Sequence, residues 1–199
     1  MTKVAIAYHS GFGHTAVVAE SVAEGVRAAG AEPVLLKIEN AAQDFGPLLD
    51  QASNADAIVF GAPTYMGDVS AAFRAFAEAS SKVWAVQGWK DKLAAGFTNS
   101  HSLSGDKLQA LASLSVLAAQ HGMVWVSTGL PPGSAAGKTG PEDVNRLGSF
   151  LGVMTQSENA SPEVTPPSGD RETARLLGVR VAEAARRWRA GAQELAQAA

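Results

Sequence analysis

Three short stretches of this sequence concentrate groups suited to gripping a phosphorylated, flat ligand. The first, Ser10-Gly11-Phe12-Gly13-His14-Thr15, follows an apolar run and leads into a helical pattern. Its hydroxyls, glycines and free amides at a helix start make an anion site, because unpaired N–H groups and the positive end of the helix dipole both face the ligand. The glycines let the backbone come close, and Ser10 and Thr15 add hydroxyl donors. A plain Gly-rich turn with Thr15 as helix cap is the alternative. The second stretch, Pro63-Thr64-Tyr65-Met66-Gly67, joins a rigid proline, an aromatic ring and free amides, so that Thr64 to Met66 can edge a flat heterocycle with backbone donors. An ordinary Pro-containing turn with a packed Tyr65 is equally compatible. The third, Thr98-Asn99-Ser100-His101-Ser102-Leu103-Ser104-Gly105-Asp106, sets polar side chains at a strand end ahead of a helix, with Ser104 and Asp106 also placed to cap that helix.

Other motifs compete with this reading. Gly11-x-Gly13-x-x-Ala16 matches the dinucleotide fingerprint, with Glu39 near the end of the second strand where a ribose-binding acid would stand. A dinucleotide fold does not call for elaborate loops after its third and fourth strands, and this chain has both. Gly133-Ser134-Ala135-Ala136-Gly137-Lys138-Thr139 resembles a P-loop, but it has three residues between the glycines instead of four, and Gly140-Pro141 interrupts the helix that must follow. The histidines His9, His14, His101 and His121 show no i,i+4 pair and no HExxH pattern, so no metal site is read. The chain has no cysteine, which excludes thiolate catalysis and iron–sulfur clusters and leaves any redox chemistry to a bound cofactor.

The elements that position these loops follow from hydrophobic periodicity. Short apolar runs at Val4–Tyr8, Pro33–Ile38, Ala55–Phe60, Leu93–Phe97 and Met123–Val126 read as strands. Between them, helical spacing appears after Thr15, ending at Ala29-Gly30, then from Val69 to Ala77, and through Leu108, Leu111, Leu114 and Leu117. A last amphipathic helix spans Glu172 to Glu194 with Leu176, Val179, Ala182 and Ala185 inward, while Gly129–Gly140 and Asn159–Gly169 read as loops. Strands alternating with helices imply right-handed crossovers and a doubly wound α/β domain: a five-stranded parallel sheet with helices on both faces, over 1–199 as a single domain. All three loops then fall at the carboxyl ends of strands, where open α/β sheets bind ligands.

Composition narrows the partners. A net charge of −3 with no long basic run argues against nucleic acid, and Arg186-Arg187-Trp188-Arg189 reads as the solvated face of the last helix. No apolar stretch is long enough to span a membrane and the start lacks the apolar core of a signal peptide, so a cytoplasmic protein is expected.

Taken in order and spacing, the segments Tyr8-His9-Ser10-Gly11-Phe12-Gly13-His14-Thr15, Gly61-Ala62-Pro63-Thr64-Tyr65-Met66-Gly67, Trp84-Ala85 with Gly88 and Lys92-Leu93-Ala94, and His121-Gly122-Met123 resemble the flavodoxin superfamily, and within it the WrbA-type NAD(P)H:quinone oxidoreductases. The pattern from Ala174-Arg175 to Val181-Ala182 in the last helix extends the resemblance. It implies a non-covalently held FMN, with phosphate in the Ser10–Thr15 loop and the ring between the Thr64–Met66 and Asn99–Ser104 loops. It implies reduction by NAD(P)H and two-electron reoxidation by a quinone in a ping-pong cycle. Phe12, Trp84 and His121, the last with its neighbour Gln120, would line the cavity over the ring as catalytic residues. A homotetramer with sites completed across subunits is also implied. The sequence departs from the pattern in a shorter segment between strands two and three, in Phe12 where a tyrosine is frequent, in Trp89-Lys90, and in fewer glycines in the third loop. A flavodoxin-type electron carrier or a flavin-binding regulatory protein without NAD(P)H activity is the competing expectation; such carriers are usually strongly acidic, and −3 is mild. The region 129–169 is open between an oligomer arm, a lid and a partner surface.

Overall fold

β1 (Lys3–His9) shows how the sheet is built: Val4 and Ile6 face one layer of core, Ala5 and Ala7 the other, and none is exposed. An uninterrupted apolar strand of this kind must be covered on both faces. The computed structural model describes residues 1–198. After β1 come α1 (His14–Ala28), β2 (Glu32–Ile38), α2 (Gly46–Ser53), β3 (Ala57–Tyr65), β4 (Asp68–Val69), α3 (Ala71–Ala79), α4 (Ser81–Ala85), β5 (Leu93–Ser100), α5 (Lys107–Gln120), β6 (Val124–Trp125), β7 (Val153–Gln156) and α6 (Ser168–Ala198). The parallel order β2-β1-β3-β5-β6 is the doubly wound, flavodoxin-like plan expected. No described helix is long and apolar enough to cross a membrane.

One face of the sheet packs Phe60 against Phe73, Phe76, Leu111 and Leu114 from α3 and α5. The other packs Ile6 and Val59 against Val18 and Val22 of α1 and Leu177 and Val181 of α6. α1 and α6 touch backbone to backbone at two glycines: a Cβ on Gly25 would overlap the Arg175 carbonyl, and one on Gly178 that of Val22. That contact sets the phase of α6. Its buried apolar side chains are Ala174, Leu177, Val181, Ala182 and Ala185, whereas Leu176 and Val179, expected inward, are only half-buried. α6 also begins before the expected Glu172 and runs past Glu194.

Near the expected site the strands run further than their polar sequence suggests. β3 continues through Gly61–Tyr65 and turns back into β4, pairing Thr64 with Val69 and Tyr65 with Asp68. Met66 and Gly67 have φ of 49° and 85°, the two left-handed residues that a tight two-residue hairpin requires. The second loop is therefore a small hairpin. β5 likewise absorbs Thr98, Asn99 and Ser100, with Thr98 opposite Ala62 and Asn99 opposite Pro63.

The fifth strand position is shared by two strands. β6 pairs with the start of β5 (Leu93↔Val124, Ala94↔Trp125), and β7 pairs with its end, from Phe97↔Val153 to Ser100↔Gln156. The expected strand at Met123–Val126 is thus only the first part, and residues 126–152 loop out between the two. Part of the undecided 129–169 region is sheet. Gly133–Ala136 forms a 3₁₀ turn with no helix after it, which agrees with setting the P-loop reading aside. The basic run of α6 is less free than expected: Trp188 Nε1 donates to the Asp91 carbonyl at 2.8 Å, and Arg189 reaches Asp56 at 3.3 Å.

Candidate functional site

A cleft of about 620 Å³ opens at the carboxyl ends of β1, β3 and β5. That edge is the switch point of a doubly wound sheet, where the chain leaves in both directions and a crevice results. Each of the three stretches picked out by residue type reaches it: Phe12, His14 and Thr15 from the first, Pro63, Thr64 and Tyr65 from the second, Asn99, Ser100 and His101 from the third. A fourth wall, Ser157 to Ala160 with Pro162, comes from the segment after β7. Sequence reasoning missed it, since nothing in Ser157-Glu158-Asn159-Ala160 signals a ligand; the available clue was the short β-branched run beginning at Val153.

The start of α1 carries the anion-binding geometry. Gly13 is its N-cap, held at φ 89°, so Thr15 is not the cap. The Ala16 N–H donates to Ser10 Oγ at 3.1 Å and the Val17 N–H to the Gly13 carbonyl at 3.1 Å. The amides of His14 and Thr15 precede the first turn's carbonyls and have no helical acceptor, as at any helix start. Thr15 is 2% exposed and lines the cleft beside these amides. Both glycines are enclosed: a Cβ on Gly13 would meet Pro162 Cγ at 2.6 Å, and one on Gly11 the Tyr65 hydroxyl. His14 Nε2 lies 2.8 Å from the Ala160 carbonyl, fixing the fourth wall over the loop.

Beyond the paired ends of β3 and β5, hydrogen bonds fix the side chains that wall the cleft. Thr98 Oγ1 donates to the Ala62 carbonyl at 2.7 Å and is 2.8 Å from Thr64 Oγ1. Asn99 Oδ1 accepts from Thr155 Oγ1 at 2.7 Å and from Ser157 Oγ at 2.9 Å. With its oxygen occupied by two hydroxyls, the Asn99 amide presents its NH₂ group as the end available to a ligand. Phe12 and Tyr65 meet edge to face, with ring centroids 6.5 Å apart, at the mouth. Phe12 is 77% exposed. Burial raises the Tyr65 phenol, which keeps it protonated as a donor near neutral pH.

Other expected site residues lie elsewhere. Met66 and Gly67 form the exposed hairpin tip. From Ser102 to Asp106 the chain turns away: Lys107 Nζ draws in the Ser102 and Leu103 carbonyls at 2.8 and 2.9 Å, Gly105 packs against Ser100, and Asp106 is the N-cap of α5 without a side-chain capping bond. Trp84 is half-exposed on α4, away from the cleft lining. His121 ends α5, whose start is at the cleft, so a helix of 14 residues puts it about 20 Å away at the opposite edge of the sheet. There it is 2% exposed, packed against Trp89 with centroids 4.3 Å apart and the rings tilted by 36°, and bonded through Nε2 to Ser80 Oγ at 2.8 Å. Within one chain, Phe12 alone of the three expected cavity residues reaches the cleft. Glu39 is paired with Lys37 at 2.8 Å and does not line the cleft.

The sequence pattern of the family described as NADPH-dependent FMN reductase matches residues 6–134. The chain is 44% identical, over 92% of its length and 96% of the relative's, to a protein named Flavodoxin FldP of Pseudomonas aeruginosa. It is 30% identical to a protein named NAD(P)H dehydrogenase (quinone) 3 of Rhizobium meliloti, over 98% and 97% of the two chains. Among solved structures, a flavodoxin, WrbA-like protein from Agrobacterium tumefaciens superposes with a TM-score of 0.73 at 42% identity, covering 94% of this chain and 99% of the other.

Proposed function

The chain belongs to the NADPH-dependent FMN reductase family, with a flavodoxin-like fold, and on that premise we propose that it holds FMN in the cleft and works as an NAD(P)H:quinone oxidoreductase with a ping-pong cycle. The observation that carries the reading is the meeting, in one cleft, of an amide cup at the start of α1 with walls from the ends of β3 and β5. The cup fits a phosphate: the left-handed Gly13 turns the chain into the helix, and the His14 and Thr15 amides and the Thr15 hydroxyl are donors. The rest of the cleft fits a planar ring lying beyond the strand ends: Thr64–Tyr65 and Asn99–Ser100 are walls and the Asn99 NH₂ is an edge donor. Bound FMN supplies the capacity to take two electrons from a reduced nicotinamide and pass them to a quinone.

The protein's part is positioning. Thr98 and Thr64 lock the two strand ends together, Thr155 and Ser157 orient Asn99, and His14 holds the Ala160 wall against the phosphate loop. Exposed Phe12 and half-exposed Tyr65 leave an open apolar rim on which nicotinamide and quinone stack in turn. A second reading, an electron carrier of flavodoxin type, is favoured by two observations: Trp84 and His121 lie outside the cleft of their own chain, and the 44%-identical relative is named a flavodoxin. Anaerobic stopped-flow mixing of the FMN-loaded protein with NADPH or NADH, then with benzoquinone, separates the two. Fast bleaching of the flavin absorbance and its recovery with quinone support the enzyme; a flavin inert to both nucleotides assigns the carrier.

A further inference from the structure

Lys107 opens α5 directly behind the cleft wall and has no exposed surface. Its ammonium spends its donors on neutral acceptors: Ser100 Oγ and the Ser102 carbonyl at 2.8 Å, and the Leu103 carbonyl at 2.9 Å. The nearby carboxylate of Asp170 is engaged instead by Arg146, at 2.8 and 3.1 Å, and by the Gln156 N–H at 2.8 Å. Behind Ser100, then, two cations, the buried Lys107 and the part-buried Arg146, face one buried anion. A cation on the first residue of a helix also opposes the dipole, and a buried charge without a bonded counter-ion is costly. An uncharged side chain of similar length would avoid both penalties. The surplus charge is one hydrogen bond from Ser100, which lines the cleft between Asn99 and His101.

We propose that Lys107 is a positioning residue that raises the reduction potential of FMN held in the cleft, its buried ammonium favouring the ring once it has gained negative charge. The proposal rests on the FMN reading above. A reduced nicotinamide delivers two electrons and one proton to the oxidised ring and departs as the oxidised nucleotide, so the ring gains one negative charge until a second proton follows. A fixed positive charge behind the Ser100 wall stabilises that anion and leaves the oxidised, neutral ring almost untouched. Burial brings the Lys107 ammonium down to about 8, with Asp170 pulling it up and Arg146 pushing it down. The charge is therefore present at pH 7 and is lost as the pH rises past about 8.

The test is the two-electron potential of the FMN-loaded wild type, Lys107→Gln and Lys107→Arg, by spectroelectrochemistry at pH 7 and pH 9.5, after an FMN titration of each. At pH 7 the ratio of reduced to oxidised FMN affinity is expected to fall about tenfold in Lys107→Gln, the scale of a unit charge roughly 10 Å away at an effective dielectric near 20. That fall equals about 30 mV in a two-electron couple. Lys107→Arg is expected to keep the wild-type potential at pH 7 and its advantage over Lys107→Gln at pH 9.5, where the wild type loses it. Equal potentials for wild type and Lys107→Gln at pH 7, or a difference unchanged at pH 9.5, overturn the proposal. If Lys107→Gln does not fold, wild type and Lys107→Arg decide: potentials that run parallel between the two pH values overturn it. A wild type that takes up no FMN overturns the FMN reading and this proposal together, whereas FMN bound at equal potentials overturns the proposal alone.

Discussion

The Thr155 hydroxyl donates to Asn99 Oδ1 at 2.7 Å, linking neighbouring strands whose residues are 56 apart in sequence. The bond turns the Asn99 amide so that its NH₂ is the end available to a ligand, with Ser157 Oγ holding the same oxygen from the second side. Residues that differ in their distance from the cleft thus share one task. Thr155 is fully buried yet governs the orientation of a group that lines the cleft.

Asn99→Ala is expected to weaken FMN binding by about 1–3 kcal/mol, the scale of a lost polar contact together with the partners left unpaired. Thr155→Val should cost about 1 kcal/mol of the same affinity, since Ser157 still holds the amide. Fluorescence titration of the flavin-stripped proteins checks both. An unchanged affinity in Asn99→Ala removes the amide from the site.

At the phosphate end, Thr15→Ala and Ser10→Ala act by different routes. Thr15→Ala removes a cleft-lining hydroxyl and should weaken FMN by about 1–3 kcal/mol with little loss of stability. Ser10→Ala removes the acceptor of the Ala16 N–H, so it should also lower stability, by about 1 kcal/mol, as a lost capping bond does. Urea unfolding without flavin, set beside the titration, separates the two effects. Wild-type affinity in both variants would remove the phosphate from this loop.

Gly61→Ala probes the packing under the site. The added Cβ would enter the Phe97 ring, and the two residues are cross-strand partners in β3 and β5, whose ends wall the cleft. Overpacking of this kind costs about 1–3 kcal/mol. The expected outcome is a lower urea midpoint with an unchanged slope; a neutral effect would mean that β3 and β5 can part without penalty.

The pH dependence of stability has a definite sign on its acid side. Burial lowers His121, and burial lowers His9 against the pull of Glu39, from an ordinary value of 6.5. The unfolded chain takes up these protons as the pH drops below about 6.5 while the folded chain resists, so stability that is intact above that pH is lost below it. Urea midpoints should fall between pH 7 and pH 5. His121→Phe, which keeps a ring against Trp89 and removes the titrating group, should flatten part of that slope. A wild-type midpoint constant over this range contradicts the account.

Much of this was legible in the sequence because the chemistry of the site and the punctuation of the fold coincide. Ser10 to Thr15 is a phosphate-type loop and a strand-to-helix turn at once, and its glycines mark both. Polar residues in the middle of strands were harder to read. Thr98, Asn99 and Ser100 resemble a loop by composition, yet Thr98 and Asn99 pair with β3 and Ser100 with β7, and Ala62, Thr155 and Ser157, which satisfy the Thr98 and Asn99 side chains, are distant in sequence. The second part of the fifth strand, Val153–Gln156, was hidden because four residues are too few to show a period and their partner strand lies more than 50 residues earlier. His121 and Trp84 were assigned to the cleft through family resemblance, and resemblance does not say to which end of the sheet, or to which subunit, a residue contributes.

The most direct measurement is titration of the flavin-stripped protein with FMN and, in parallel, with riboflavin, followed by quenching of flavin fluorescence. The cup at Gly13–Thr15 predicts one FMN per chain and binding of riboflavin weaker by at least about 100-fold, on the scale of two charge-assisted hydrogen bonds lost with the phosphate. Failure to bind FMN, or equal affinity for the two flavins, would contradict it.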